Sequence, residues 1–161
     1  GEVITDERKR AFVEVTAAYA PTMRVTTVAD ADGLAGGQRA ARELLASGFH
    51  PTAIVCVNDI MAVGVLRELR AQRIPAPQAV SVTGFDDVAL AEFVAPALTT
   101  ARIPREEIGH RMCETLLADH RTRAERGREV MIETELVVRE STAPAPPGRS
   151  RHARPARARR R

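Results

Sequence analysis

Ser81-Val82-Thr83-Gly84-Phe85-Asp86-Asp87 runs from an apolar strand directly into two adjacent carboxylates. Open α/β sheets bind ligands just outside the carboxyl ends of their strands, so Asp86 and Asp87 fall where such a ligand would lie. Upstream, Pro51-Thr52-Ala53-Ile54-Val55-Cys56-Val57-Asn58-Asp59-Ile60-Met61-Ala62-Val63-Gly64 is a second apolar strand that ends in Asn58-Asp59 and turns into a helix. Two such strand ends bring three carboxylates and an amide to one cleft. That composition suits a ligand rich in hydroxyls or N–H groups.

Toward the N-terminus, Thr5 is placed to cap a helix carrying Ala11, Phe12, Val15, Ala18 and Tyr19 at helical spacing. Arg24 to Val28 is a short strand candidate rich in β-branched residues. Gly37, Ala40, Ala41, Leu44 and Leu45 mark one face of a second helix, with Gly48 where it should stop. After the strand Ala53 to Val57, the residues Ala62, Val65, Leu66 and Leu69 give a third helix, with Asn58 or Asp59 near its N-cap and Pro75 and Pro77 ending it. The strand Val80 to Phe85, a short Val88 to Phe93 segment and a Leu98 to Ile103 connection follow. Pro104 suits a first helical position, with Glu106 and Glu107 favourable near the positive helix end. Ile108, Met112, Cys113, Leu116 and Leu117 form that helix's apolar face. Arg121 to Arg128 reads as a charged turn, and Val130 to Arg139 as a β-rich ending. This alternation of strand and helix predicts an α/β domain with a mainly parallel sheet flanked by helices.

The 161 residues suffice for one domain. The formal charge of +3 invites a nucleic-acid reading, but seven arginines (149, 151, 154, 157, 159, 160 and 161) and no acids follow Gly148. Taking those seven charges from +3 leaves the body at −4. The basic balance therefore belongs to the tail, and the body has no obvious phosphate-binding footprint. Residues 143–161 are rich in Ala, Pro, Gly and Arg, cannot bury a core, and are expected to form a disordered tail on a 1–142 domain. Cys56 and Cys113 form no C-x-x-C pair and read as structural thiols. The four histidines (50, 110, 120 and 152) lack metal-ligand spacing, so no metal is expected. No run approaches the roughly 18 consecutive apolar residues of a membrane span. No signal-peptide core precedes the first helix, and a cytoplasmic location without membrane partners is the expectation.

These stretches, with Pro96-Ala97-Leu98-Thr99-Thr100, Glu135-Leu136-Val137-Val138-Arg139-Glu140-Ser141-Thr142, Gly36-Gly37, and Arg8 to Phe12, resemble the effector-binding domain of the lactose/galactose repressor (LacI/GalR) family of bacterial transcription regulators. The resemblance runs through residues 1–142 in family order. It implies the C-terminal part of a periplasmic-binding-protein-like type I fold. Gly1 corresponds to the loop after the first strand of the second effector subdomain. That strand, the first subdomain and the DNA-reading helix-turn-helix head are then expected upstream. In the flavodoxin-like order 2-1-3-4-5 the first strand is internal, so its neighbours would keep unpaired backbone groups. Each such buried group costs roughly 1–3 kcal/mol against a domain stability of about 5–15 kcal/mol, and instability of the isolated segment is expected. The helix from Pro104 to His120, which in the family packs on the first subdomain, would add an exposed apolar face.

The resemblance assigns effector contact to Arg8, Asn58 and Asp86. A carboxylate at Asp86 can accept two hydrogen bonds from adjacent hydroxyls or N–H groups, Asn58 offers a donor and an acceptor, and Arg8 offers five donors in a fixed fork. The bland alternatives are a capping carboxylate for Asp86 and a solvated basic helix face for Arg8, whose neighbours are Lys9 and Arg10. Asp59 and Asp87 are further effector candidates, each also explained by a capping role. Asp32 occupies the position where family members often place an aromatic ring, and an aspartate offers no apolar stacking face. Aromatic residues are only 3% of the chain, which leaves few other stacking platforms. Ile60 and Met61 are candidates for a dimer interface by the same resemblance.

The expected function is effector sensing, for a sugar or related small polar metabolite, within a LacI/GalR-like regulator that dimerises and binds operator DNA through its upstream head. A periplasmic sugar-binding protein and an inactive truncated repressor remnant are the competing readings. No nucleophile, phosphate loop or metal set accompanies the aspartates, so neither catalysis nor a cofactor is expected.

Overall fold

The computed structural model of the protein describes residues 2–29, 33–118 and 130–145. In chain order it contains α1 (Glu2–Tyr19), α2 (Gly33–Ala46), β1 (Ala53–Val55), α3 (Asp59–Ala71), β2 (Ser81–Asp86), the single turn α4 (Leu90–Phe93), β3 (Thr99–Arg102), α5 (Arg105–Ala118) and β4 (Glu135–Val137). One sheet runs β1-β2-β3-β4, with the first three strands parallel and β4 antiparallel to β3. The α/β class with a mainly parallel sheet is the fold expected from the sequence.

The core lies where α3 covers the sheet. Ala62, Val65, Leu66 and Leu69 recur at i, i+3, i+4 and i+7, which places them on one helical face, and all four are buried. They join Val80, Val82, Leu98, Ala41 and Ala91 in a single cluster. Each large aliphatic side chain buried there stabilises the fold by roughly 1.5–3 kcal/mol. Asn58 starts the helix: its backbone is extended (φ −152°) and its side chain accepts a hydrogen bond from the Met61 N–H at 2.9 Å. This satisfies one of the donors that a helix start leaves unpaired.

Helix α2 crosses α3 at Gly37. A Cβ there would lie 2.1 Å from the Met61 carbonyl oxygen, so only glycine permits this backbone approach. Further along the crossing, Arg42 donates through Nε and Nη2 to the two oxygens of buried Glu68 at 3.1 and 2.8 Å, and Gln72 adds a bond at 2.9 Å.

The segment after β4 laces the sheet together. The β2–β3 ladder begins at Thr83 opposite Thr99, which leaves Val82 without a partner on β3. Ser141, fully buried, fills that place. Its carbonyl accepts from the Val82 N–H at 2.8 Å, while its hydroxyl donates to the Val82 carbonyl at 2.6 Å and accepts from the Thr99 N–H at 2.8 Å.

Several local expectations are corrected. Helix α1 already begins at Glu2, so Thr5 lies within it and is not its cap. Arg24 to Val28 carries no strand pairing, because β propensity produces a strand only where a neighbour accepts the ladder. Arg24 instead places its guanidinium 5.3 Å from the Phe49 ring centroid. Strand β1 ends at Val55, although the Cys56 N–H still reaches the Thr83 carbonyl at 2.9 Å. Leu98 to Ile103 is not a plain connection, since it contains β3. Helix α3 stops at Ala71, ahead of Pro75, and only three residues of the β-rich ending pair as β4. Gly48 does follow the end of α2, at φ 75°.

With residues 24–28 unpaired, β1 is an edge strand among the described residues, and Val55 is 56% exposed. The apolar face of α5 is also open to solvent, Leu117 being 72% exposed. The charged turn expected at 121–128 and residues 146–161 of the expected tail lie outside the described residues, while 143–145 have no regular structure.

Candidate functional site

The carboxyl ends of β1 and β2 lie side by side, and α1 delivers Arg8 to both. Its Nη1 donates to the Val57 carbonyl at 2.7 Å, and its guanidinium carbon sits 3.9 Å from the Phe85 ring centroid. One contact is with the residue before Asn58, the other with the residue before Asp86. Arg8, Asn58 and Asp86 are thereby gathered at one sheet end. Lys9 and Arg10 stay exposed while Arg8 is half-buried, so the basic run on α1 divides into one inward and two outward cations. The planar guanidinium over an aromatic face is a cation–π contact that also fixes the orientation of its donor fork.

Asp86 ends β2 with φ 110°, and Asp87 follows at φ 52°. Among residues with a Cβ, aspartate and asparagine tolerate this left-handed region best. The Asp86 carbonyl accepts from Arg105 Nη2 at 2.5 Å. The Asp87 carboxylate is bound on both oxygens, by Arg102 Nε at 2.7 Å and Arg139 Nη2 at 2.8 Å. Burial pushes its pKa up, but the hydrogen bonds and charges of Arg102 and Arg139 outweigh this and hold it below the ordinary value.

Asp59 is fully buried beneath the site. Its Oδ1 accepts from the Thr100 hydroxyl at 2.5 Å and its Oδ2 from the Val88 N–H at 2.8 Å, which ties the first turn of α3 to β3 and to the chain beyond Asp87. Gly84 makes room for it, because a Cβ there would lie 2.2 Å from Asp59 Oδ1. Its carboxylate therefore points into the domain and not into the cleft. Burial, with the nearby Asp59 charge, pushes the Cys56 thiol up to about 12 and leaves it neutral. Cys113 is exposed on α5.

Asp32 lies outside the described residues. Ile60 and Met61 are half-buried within the single chain, and the Met61 backbone faces Gly37 of α2. Among the described residues, no group of three or more His, Cys, Asp or Glu side chains could hold a metal ion.

Four participants were not singled out from the sequence: Phe85, Arg102, Arg105 and Arg139. Phe85 supplies the aromatic platform, here beneath Arg8. Its place one residue before Asp86 was the available signal. Arg102 was hidden because residues 98–103 read as a connection; once they form a parallel strand, Asp86 and Arg102 are register partners.

The profile of the periplasmic binding protein-like domain family matches residues 1–142. The chain belongs to this family, in the branch of LacI/GalR-type transcriptional regulators whose motifs it resembles. It is similar to the HTH-type transcriptional regulator MalR of Streptomyces coelicolor, with 43% identity over 118 residues that span 73% of this chain and 34% of that protein. Among solved structures, the transcriptional regulator CelR in complex with cellobiose is 30% identical with a TM-score of 0.76, covering 84% of this chain and 42% of that one. A LacI family regulator from Arthrobacter in complex with lactose is 27% identical with a TM-score of 0.65, covering 71% of this chain and 44% of that one. The chain spans about a third of the length of the curated relatives it matches. No helix among the described residues is long and apolar enough to cross a membrane.

Proposed function

We propose that this chain is the effector-sensing part of a LacI/GalR-like transcriptional regulator, and that Arg8, Asn58 and Asp86 hold a sugar or related small polar metabolite. The observation that carries this reading is the placement of Arg8 across both strand ends, on the Val57 carbonyl and the Phe85 ring. It assembles a cation, an amide and a carboxylate where an open α/β sheet binds its ligands. Neighbouring hydroxyls of a sugar can donate to Asp86 and both donate to and accept from Asn58, while ring or hydroxyl oxygens accept from Arg8. The cellobiose and lactose bound by the two similar regulators support a sugar.

Asp59 and Asp87 serve the site from behind, and Asp32 is a further polar candidate for the ligand. Ligand in the cleft biases the relative placement of two subdomains in the whole regulator, which requires different affinity in its two states. The regulator acts in the cytoplasm as a homodimer, with Ile60 and Met61 at its interface, and reads operator DNA through a helix-turn-helix head. The chain binds its ligand without transforming it, in keeping with relatives that are regulators.

Titration calorimetry of the whole protein with cellobiose, lactose and ribose tests the site. Asp86→Ala should weaken binding about tenfold to a hundredfold, the loss expected for one or two charge-assisted hydrogen bonds. Unchanged affinity in that variant would overturn the assignment of Asp86, and a lack of heat with every sugar would move the effector out of this class.

A further inference from the structure

Asp87 sits at the centre of an arginine cluster whose members come from separate parts of the chain. Arg102, bound to its Oδ2, is the last residue of β3, and its Nη1 reaches Glu135 at the start of β4 at 2.9 Å. Arg139, bound to its Oδ1, follows β4 and also donates through Nη1 to the Leu98 carbonyl ahead of β3 at 2.9 Å. Arg105, the first residue of α5, donates to the carbonyls of Asp86 at 2.5 Å and Asp87 at 3.4 Å. Arg102 and Arg105 mark where the chain leaves the sheet for α5. Glu135 and Arg139 mark where it returns. Both passages converge on the Asp86–Asp87 turn.

The bonds differ in weight. The Arg139–Asp87 pair is largely shielded, with side chains 16% and 10% exposed, so water screens it less than a surface pair. The Arg102–Glu135 pair is open to solvent and adds little by itself. Both Asp86 and Asp87 hold positive φ, a conformation that persists where surrounding contacts fix it. The arginines supply those contacts.

We infer that Asp87 is a positioning residue of the effector site: through Arg102 and Arg139 it holds the left-handed turn that presents Asp86, and it couples that turn to the two segments by which the chain leaves and re-enters the sheet. The inference rests on the proposed effector role of Asp86. A ligand that displaces Asp86 then also displaces the β3–α5 junction and the start of β4. Coupling of this kind requires that the two arrangements bind ligand unequally.

The test uses Asp87→Asn, Arg139→Gln, Arg139→Lys and Arg102→Gln in the whole protein. Asparagine tolerates positive φ as aspartate does, so the first variant removes charge while keeping the backbone preference. Amide hydrogen exchange reads the turn at Val88, bonded to Asp59, and the junction at Arg105 and Ile108, bonded to the carbonyls of Ile103 and Pro104. Asp87→Asn and both glutamine variants should speed exchange at turn and junction together by about tenfold, while core amides such as that of Leu69, fully buried within α3, keep their protection. Arg139→Lys should restore much of the slow exchange, and affinity for cellobiose or lactose should fall about tenfold in parallel with the loosening. Unchanged exchange at Arg105 and Ile108 in Asp87→Asn and Arg102→Gln overturns the inference, as does equal acceleration at every amide, which marks a global loss of stability. If Asp86→Ala abolishes sugar binding while Asp87→Asn leaves affinity and exchange intact, the effector reading stands and the clamp falls. If the parent protein binds neither sugar, exchange still decides the clamp.

Discussion

Asp59, Asp86 and Asp87 carry the same side chain into three different surroundings. Asp59 is closed in by the Thr100 hydroxyl and the Val88 N–H, Asp87 by two guanidinium groups, and Asp86 lends its carbonyl to Arg105 at the end of β2. Adjacency in sequence brought Asp86 and Asp87 to notice as a pair. Their division of labour depends on Arg102 and Arg139, which lie 15 and 52 residues from Asp87 and carry no local signal. The ionisation of Asp87 gives this a measurable consequence. Burial raises its pKa, the arginines lower it further than burial raises it, and the folded value lies below the ordinary 3.8. Glu68 likewise lies below its ordinary 4.5, first through the hydrogen bond from Arg42 and then through that from Gln72. A carboxyl with a depressed folded pKa contributes stability that is complete above its unfolded pKa and is lost as pH falls through the folded one. The local opening free energy of the turn, read by amide exchange at Val88 in the whole protein, should therefore lie ~1–3 kcal/mol lower in Asp87→Asn than in the parent at neutral pH, and the gap should close as pH falls below about 4. A gap of constant size across that range would show that Asp87 is not held as a carboxylate.

At the scale of elements, α3 was the most legible part of the chain. Its cap at Asn58 and its apolar positions at 62, 65, 66 and 69 are local signals, and local bonds satisfy the cap. Strands were less legible because each exists by virtue of another. Arg24 to Val28 has the composition of a strand and no partner, whereas Thr99 to Arg102 became β3 by lying between β2 and β4. The segment 139–142 shows the same dependence, since Ser141 completes the start of β2 from 59 residues away. Replacing it tests how firmly this seam is made. Ser141→Ala leaves the Val82 carbonyl and the Thr99 N–H without its hydroxyl, at roughly 1–3 kcal/mol for each buried group that finds no other partner. The measurement is the shift in chemical denaturation midpoint of the whole protein. No shift would mean that water or a neighbouring group replaces the hydroxyl at no cost.

For the whole molecule, the balance between buried and open apolar surface decides how the isolated chain behaves. The core joins α2, α3, α4 and β2, but β1 has an open edge, and α5 exposes Met112, Leu116 and Leu117. Open edges and apolar faces favour association and weaken cooperativity. The isolated 161-residue chain should melt broadly and bind an environment-sensitive hydrophobic dye before heating; a sharp cooperative transition without dye binding would contradict this. The α/β alternation, the α3 core face, a cap at Asn58 or Asp59, and the pair of strand ends that carry Asn58 and Asp86 could be read from the residues alone, because helical periodicity, caps and strand termini are written within a few residues; the fold chose Asn58 as the cap. Packing of the assembled chain brings Arg8 across from α1 to rest on Phe85, turns Asp59 inward beneath Gly84, and gives Asp87 to Arg102 and Arg139. Those arrangements join residues far apart in the chain, and distant residues meet only after the strands have chosen their neighbours and register.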